Sequence, residues 1–84
     1  MRIVKELDVV EIGTALHPKR RIVIVQRDDG LYAYAEQYQY VSQYDGEIVA
    51  EGWGTLPAEG IYANSHVAEV EGRAAFAQWH GVAY

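Results

Sequence analysis

The sequence predicts an α+β fold: a three- or four-stranded antiparallel sheet (a meander) with one C-terminal helix packed on one face. Three observations indicate it: a β-branched run before an Asp-Asp-Gly turn, a second turn signal at Tyr44-Asp45-Gly46, and helical periodicity over residues 65–79. A length of 84 residues corresponds to one domain. We therefore expect residues 1–84 to form a single domain.

Residues 21–41 are predicted to form the first hairpin. The run Ile22–Val25 is short and β-branched, and the stretch after the first turn alternates, with tyrosines at 32, 34, 38 and 40. A third strand is predicted over Glu47–Glu51, followed by a loop over residues 52–60. The second strand would then be about 11–13 residues long, which is longer than usual. We therefore expect a bulge or bend in it, near Glu36–Gln37.

The first turn determines which residues share a face. If Asp28 and Asp29 take the right-handed positions of a type I turn, Gly30 supplies the left-handed residue of a bulge. Arg27 then faces Leu31. A two-residue turn at Asp29-Gly30 would shift the register by one. We favour the first register because it separates small apolar residues, on which a helix can lie closely, from the tyrosines. The small face carries Val23, Val25, Leu31, Ala33 and Ala35, and the tyrosine face carries Ile22, Ile24, Tyr32, Tyr34, Glu36, Tyr38 and Tyr40.

A helix is predicted over residues 65–79. Asn64 or Ser65 can cap its N-terminus, and Gly81 can end it. Apolar residues three or four apart predict the buried stripe, which consists of Val67, Val70, Ala74 and Ala77. Gly72 is unfavourable in a helix by about 1 kcal/mol relative to alanine. A close crossing over Ala33 and Ala35 would explain it.

The first 20 residues fit either a helix or one side of a strand. Their content of valine and isoleucine favours a fourth strand. Leu16-His17-Pro18-Lys19 is predicted as a loop, because proline disfavours the helical conformation in the residue before it. The order hairpin, third strand, helix resembles that of many small bacterial ββ(β)α proteins. Residues 27–32 carry the resemblance, and no site is transferred from it.

Composition favours a cytoplasmic protein. The chain has no cysteine, which is typical of reducing compartments, and no apolar run approaches the ~20 residues that span a bilayer. The net charge is −5 and is unevenly placed. Residues 1–27 carry six cations and three acids (+3), whereas residues 28–84 carry one cation and nine acids (−8). This division permits charge complementarity between two copies and disfavours binding to nucleic acid.

Catalytic and metal-binding patterns are weak. Ser65 and His66 are adjacent, so their side chains diverge on a helix and cannot form a nucleophile–base pair. His66 and Glu69 could supply two metal ligands, but no spacing predicts the others. We therefore predict no enzymatic activity, no metal and no cofactor. A pocket near Trp53, His66 and His80 would favour an enzyme of small molecules instead.

The tyrosines are the main functional signal. If they lie away from the helix, they form a broad aromatic surface, and tyrosine is enriched at interfaces. Three interpretations stay open: a homodimer through this face, a platform for single-stranded nucleic acid, or a face covered by the N-terminal segment. The candidate interaction face consists of Tyr32, Tyr34, Tyr38, Tyr40, Ile22 and Ile24.

The function favoured by the sequence is a non-enzymatic interaction or accessory module. It would act as a homodimer or bind another protein, without membrane contact. The alternative is a module that binds single-stranded nucleic acid through the tyrosines and a basic segment. Its candidate anion contacts are Lys19, Arg20, Arg21 and Arg27.

Overall fold

The computed structural model describes residues 1–13 and 16–84. The part of the expectation for residues 1–20 that concerns Thr14 and Ala15 therefore lies outside the described residues. It contains one helix and six strands. The elements are β1 (Arg2–Glu6), β2 (Val10–Glu11), β3 (Lys19–Gln26), β4 (Tyr32–Tyr44), β5 (Glu47–Thr55), β6 (Glu59–Tyr62) and α1 (Ser65–His80).

The strands form one antiparallel sheet whose central pair is β3 and β4. Both β1 and β2 pair with the outer side of β3, and both β5 and β6 pair with the outer side of β4. The α+β prediction is confirmed, but the sheet is larger than three or four strands. The N-terminal segment contributes two short strands. Of residues 52–60, expected as a loop, only 56–58 form a connection, because β5 runs to Thr55 and β6 begins at Glu59.

The register of the first hairpin is the predicted one. Arg27 N donates to Leu31 O at 2.7 Å, and Gly30 has the left-handed φ of 83°. Val23 lies opposite Ala35, as this register requires. Asp29 Oδ1 accepts a hydrogen bond from Leu31 N at 3.0 Å, and this bond holds the pKa of Asp29 below its usual value.

The ends of α1 are also those predicted. The side chain of Asn64 accepts a hydrogen bond from Val67 N, and Gly81 ends the helix with φ 67°. The predicted buried stripe is wrong. Val67 and Val70 are 40% and 50% exposed, whereas the buried residues are Ala68, Gly72 and Phe76.

The helix packs on the tyrosine face, so the expected assignment of faces is reversed. Ile22 and Ile24 are buried in a core with Ala68 and Phe76, and Tyr34 packs against it. The reason is that the helix itself supplies the small residues at the crossing, which leaves room for large ones on the sheet. The small face is also buried, as a second cluster of Val23, Val25, Ala33 and Ala35 with Ala58 packed against it.

The N-terminal and C-terminal segments close the helix side of the core. Leu7 is buried there, and Leu7 N donates to Ile22 O at 2.9 Å. Ile22 lies on β3, opposite the gap between β1 and β2. Its backbone N donates to the hydroxyl oxygen of Tyr84 at 3.1 Å. The same hydroxyl donates to Asp8 O at 2.8 Å. Tyr84 therefore supplies a hydrogen bond where the two short strands are interrupted.

Gly72→Ala should destabilise the protein, although alanine is the better helix former. A Cβ atom at position 72 would lie 2.9 Å from Tyr34 Cβ and 3.1 Å from Ile22 Cγ2. We expect the free energy of unfolding in urea to fall by about 1–3 kcal/mol. The control is Ala74→Gly at an exposed position of the same helix, with an expected loss of about 1 kcal/mol. A more stable Gly72→Ala variant would contradict the close crossing.

Candidate functional site

A two-stranded arm projects from the sheet. β4 has 13 residues, but β3 pairs with it only as far as Tyr38. Beyond that point β5 is the one described strand that pairs with β4. We define the arm as residues 39–53. Its projection agrees with a long axis of 47 Å and a radius of gyration of 14.0 Å; a compact chain of this length would have a radius near 12 Å.

The tip of the arm is the predicted second hairpin. Asp45 and Gly46 have φ values of 52° and 79°, the two left-handed residues of a type I′ turn. The expected bend near Glu36–Gln37 is not where the pairing of β4 and β5 shifts. That shift lies between Ser42 and Gln43, within the arm. A bulge there increases the local twist of the ribbon.

Large apolar side chains on the arm are exposed to solvent. Tyr44 is 71% exposed, Ile48 59% and Val49 62%. A two-stranded ribbon of this kind is marginally stable in water without a third strand or a covering layer. Exposed apolar side chains grouped in this way are typical of an interaction site.

The charge of the arm is entirely negative. It carries Asp45, Glu47 and Glu51 and has no lysine or arginine. None of these three acids is in an ion pair with any described residue. The arm therefore presents an apolar surface with three uncompensated carboxylates.

Aromatic rings hold the root of the arm. A Cβ atom at Gly54 would lie only 2.3 Å from Tyr38 Cζ, because the tyrosine ring lies across that glycine. The ring of His17 packs on Tyr38 with centroids 4.8 Å apart. On the other face, the Arg21 guanidinium lies 4.2 Å from the centroid of Trp53. These contacts join β3, β4 and β5 where the arm begins.

A groove of about 470 Å³ lies beside this root. Lys19 lines it, with Gln39 and Val41 from the first strand of the arm. Leu16, 90% exposed, stands at its edge. The groove therefore combines one cation with an apolar rim.

The candidate interaction face is not one open surface. Ile22 and Ile24 are buried beneath α1, and Tyr32 and Tyr34 are half-buried there. The cause is the reversed assignment of faces described above. Only Tyr38, at the root, and Tyr40, 37% exposed on the arm, lie beyond the helix-covered core.

Three of the four candidate anion contacts are in ion pairs. Arg20 Nη1 lies 2.7 Å from Glu36 Oε2, Arg21 Nη1 lies 2.7 Å from Glu6 Oε2, and Arg27 Nη2 lies 3.1 Å from Asp29 Oδ2. Among the described residues, only Lys19 of this set has no acidic partner. The four cations therefore do not form one basic surface.

A second groove, of about 380 Å³, lies between the C-terminal half of α1 and the connection from β5 to β6. Trp79 lines it and is 83% exposed. Arg20 and Glu36 form one wall, and His80 Nε2 lies 3.0 Å from Glu36 Oε1. This groove is not the pocket that would favour an enzyme, because Trp53, His66 and His80 do not line it.

One member of the suggested metal pair, Glu69, is held by two cations. Glu69 accepts hydrogen bonds from Lys5 Nζ at 2.6 Å and from Arg73 Nε at 3.1 Å. Both bonds hold its pKa below the usual value. Within residues 1–13 and 16–84, no three histidine, aspartate or glutamate side chains cluster as metal ligands would.

No protein-family model, curated protein or solved structure matches the chain. In the described part of the chain, no helix is long and apolar enough to cross a membrane.

Tyr38→Ala should weaken the root of the arm, because it removes the ring that covers Gly54 and packs on His17. We expect the free energy of unfolding to fall by about 2 kcal/mol, measured in urea at a fixed protein concentration. Trp79→Ala is the control, since it removes an aromatic ring that is 83% exposed. It should change stability by no more than about 0.5 kcal/mol. Equal effects of the two substitutions would contradict this role of Tyr38.

Proposed function

We propose that the chain is a non-enzymatic interaction module that forms a homodimer through its arms. The two arms would pack antiparallel against each other. The observation that carries this proposal is the acidic, apolar arm of residues 39–53, in which residues 40–51 are all exposed to solvent. A second copy is the proposed occupant. The interaction surface thus moves from the tyrosine face to the arm.

A two-fold axis brings complementary parts together. When two identical arms lie antiparallel, the tip of each reaches the root of the other, because the arms have equal length. The six strand residues from Gln39 to Tyr44 span about 20 Å. Each tip would then lie against the partner's groove beside Lys19, and each ribbon would gain the covering layer that it lacks alone.

Charge supports the same arrangement. The tip carries Asp45 and Glu47 without cations, and the root groove contains Lys19, which has no ion-pair partner among the described residues. A parallel arrangement would place tip against tip and acid against acid. Complementary charges set the register and suppress wrong arrangements more than they add affinity. Burial of Tyr44 and Ile48 supplies the larger favourable term.

Reversing the charge of either Lys19 or Glu47 should weaken the dimer. Reversing both charges in one variant should restore it. We expect Lys19→Glu and Glu47→Lys each to raise the dimer dissociation constant about 10-fold, because each pair occurs twice in a two-fold dimer. The double variant should return to within about 3-fold of the wild type. The measurement is solution mass by light scattering over a dilution series.

Arg2→Glu is the matched control, since it reverses an exposed cation on β1 at the edge of the sheet away from the arm. It should leave the dissociation constant unchanged. A wild-type protein that stays monomeric up to about 1 mM would overturn the proposal. So would a double variant that is weaker than both single variants.

A further inference from the structure

The groove beside α1 has an apolar floor and an exposed aromatic rim. Phe76, 1% exposed, lies at its base, and Leu56 and Trp79 stand on opposite sides, 40% and 83% exposed. Its volume of about 380 Å³ is within the range of sites for small molecules. A solvent-exposed tryptophan beside an apolar groove can stack on a ligand without rearrangement of the core.

The charge at this groove is negative after internal pairing. Arg20 and Glu36 offset one another at 2.7 Å. Glu59 lines the opposite end, and its Oε2 accepts a hydrogen bond from the Tyr34 hydroxyl at 3.2 Å. No cation pairs with Glu59 among the described residues.

The charge around Tyr34 agrees with this. Burial raises the pKa of the Tyr34 hydroxyl, and the nearby carboxylates of Glu59 and Glu71 raise it further. The groove joins an aromatic surface to a carboxylate without a counter-ion.

We propose that this groove binds a small organic cation, an ammonium group carried on an apolar body. The apolar body would pack between Leu56 and Trp79, and the ammonium would lie near Glu59. Aromatic faces and carboxylates both attract cations, and together they select a cation over a neutral isostere. Nothing in this inference depends on the arm or on the oligomeric state.

Three probes of similar size and different charge test the proposal. They are 2-phenylethylammonium, the neutral 2-phenylethanol and the anionic 3-phenylpropionate, each titrated into uniformly ¹⁵N-labelled protein. The chain has two tryptophans, so the indole signal of Trp79 is identified by its loss in Trp79→Ala. We expect saturable shifts of this signal with the ammonium, and a dissociation constant at least about 5-fold higher for the alcohol.

Two variants localise the charge effect. Glu59→Gln should raise the dissociation constant of the ammonium about 2- to 5-fold. Glu47→Gln, the same charge change on the arm, should leave it unchanged. The proposal is overturned if the alcohol binds as well as the ammonium, if Glu59→Gln binds like the wild type, or if no saturable shift occurs up to about 10 mM ammonium.

Discussion

The close crossing of α1 over β3 and β4 is the contact on which the rest of the molecule depends. Gly72 lies so near Tyr34 and Ile22 that even a Cβ atom would not fit. This contact fixes the position of the helix along the sheet. The helix has 16 residues and spans about 24 Å, whereas the 13 residues of β4 span about 43 Å. Residues 40–44 of β4 are all exposed, so no described element covers the far end of this strand.

The arm is the part of β4 and β5 that extends beyond β3 and α1. β3 ends its pairing at Tyr38 and the helix-side core lies beneath α1, so only β5 accompanies the far half of β4. The distribution of charge follows the same boundary. Most cations of the N-terminal third are held in ion pairs within the body of the molecule, and the acids of the arm are not. The arm is apolar and acidic, and it lies beside a groove that contains a cation. From this arrangement we infer that the arms of two copies pack against each other.

Local chemistry made part of this structure predictable. The turn at Asp28-Asp29-Gly30 fixed a hairpin register, and Asn64 and Gly81 marked the ends of the helix, because each acts through its own backbone. The choice of helix-covered face was wrong. Small residues on the sheet suggested a close crossing there, but both faces are buried, and the helix brings its own small residues, Ala68 and Gly72.

The candidate sites depend on tertiary structure that the sequence pattern does not encode. The arm exists because β3 begins at Lys19 and pairs with β4 only as far as Tyr38, whereas β4 continues to Tyr44. Pro18 and the Asp45-Gly46 turn mark these two ends, but neither indicates which elements would cover the overhang. A predicted strand of 11–13 residues beside a shorter partner was the available signal. The groove at Trp79 depends on how the β5–β6 connection lies against the helix. The apolar periodicity of the helix does not indicate that the β5–β6 connection lies beside it.

Amide hydrogen exchange as a function of protein concentration tests the central claim most directly. If a second copy covers the arm, protection of the amides in residues 39–53 should rise with concentration, while that of the amides in β3 and α1 stays constant. Protection of the arm that does not change with concentration would show that no second copy covers it. That result would contradict a homodimer formed through the arms.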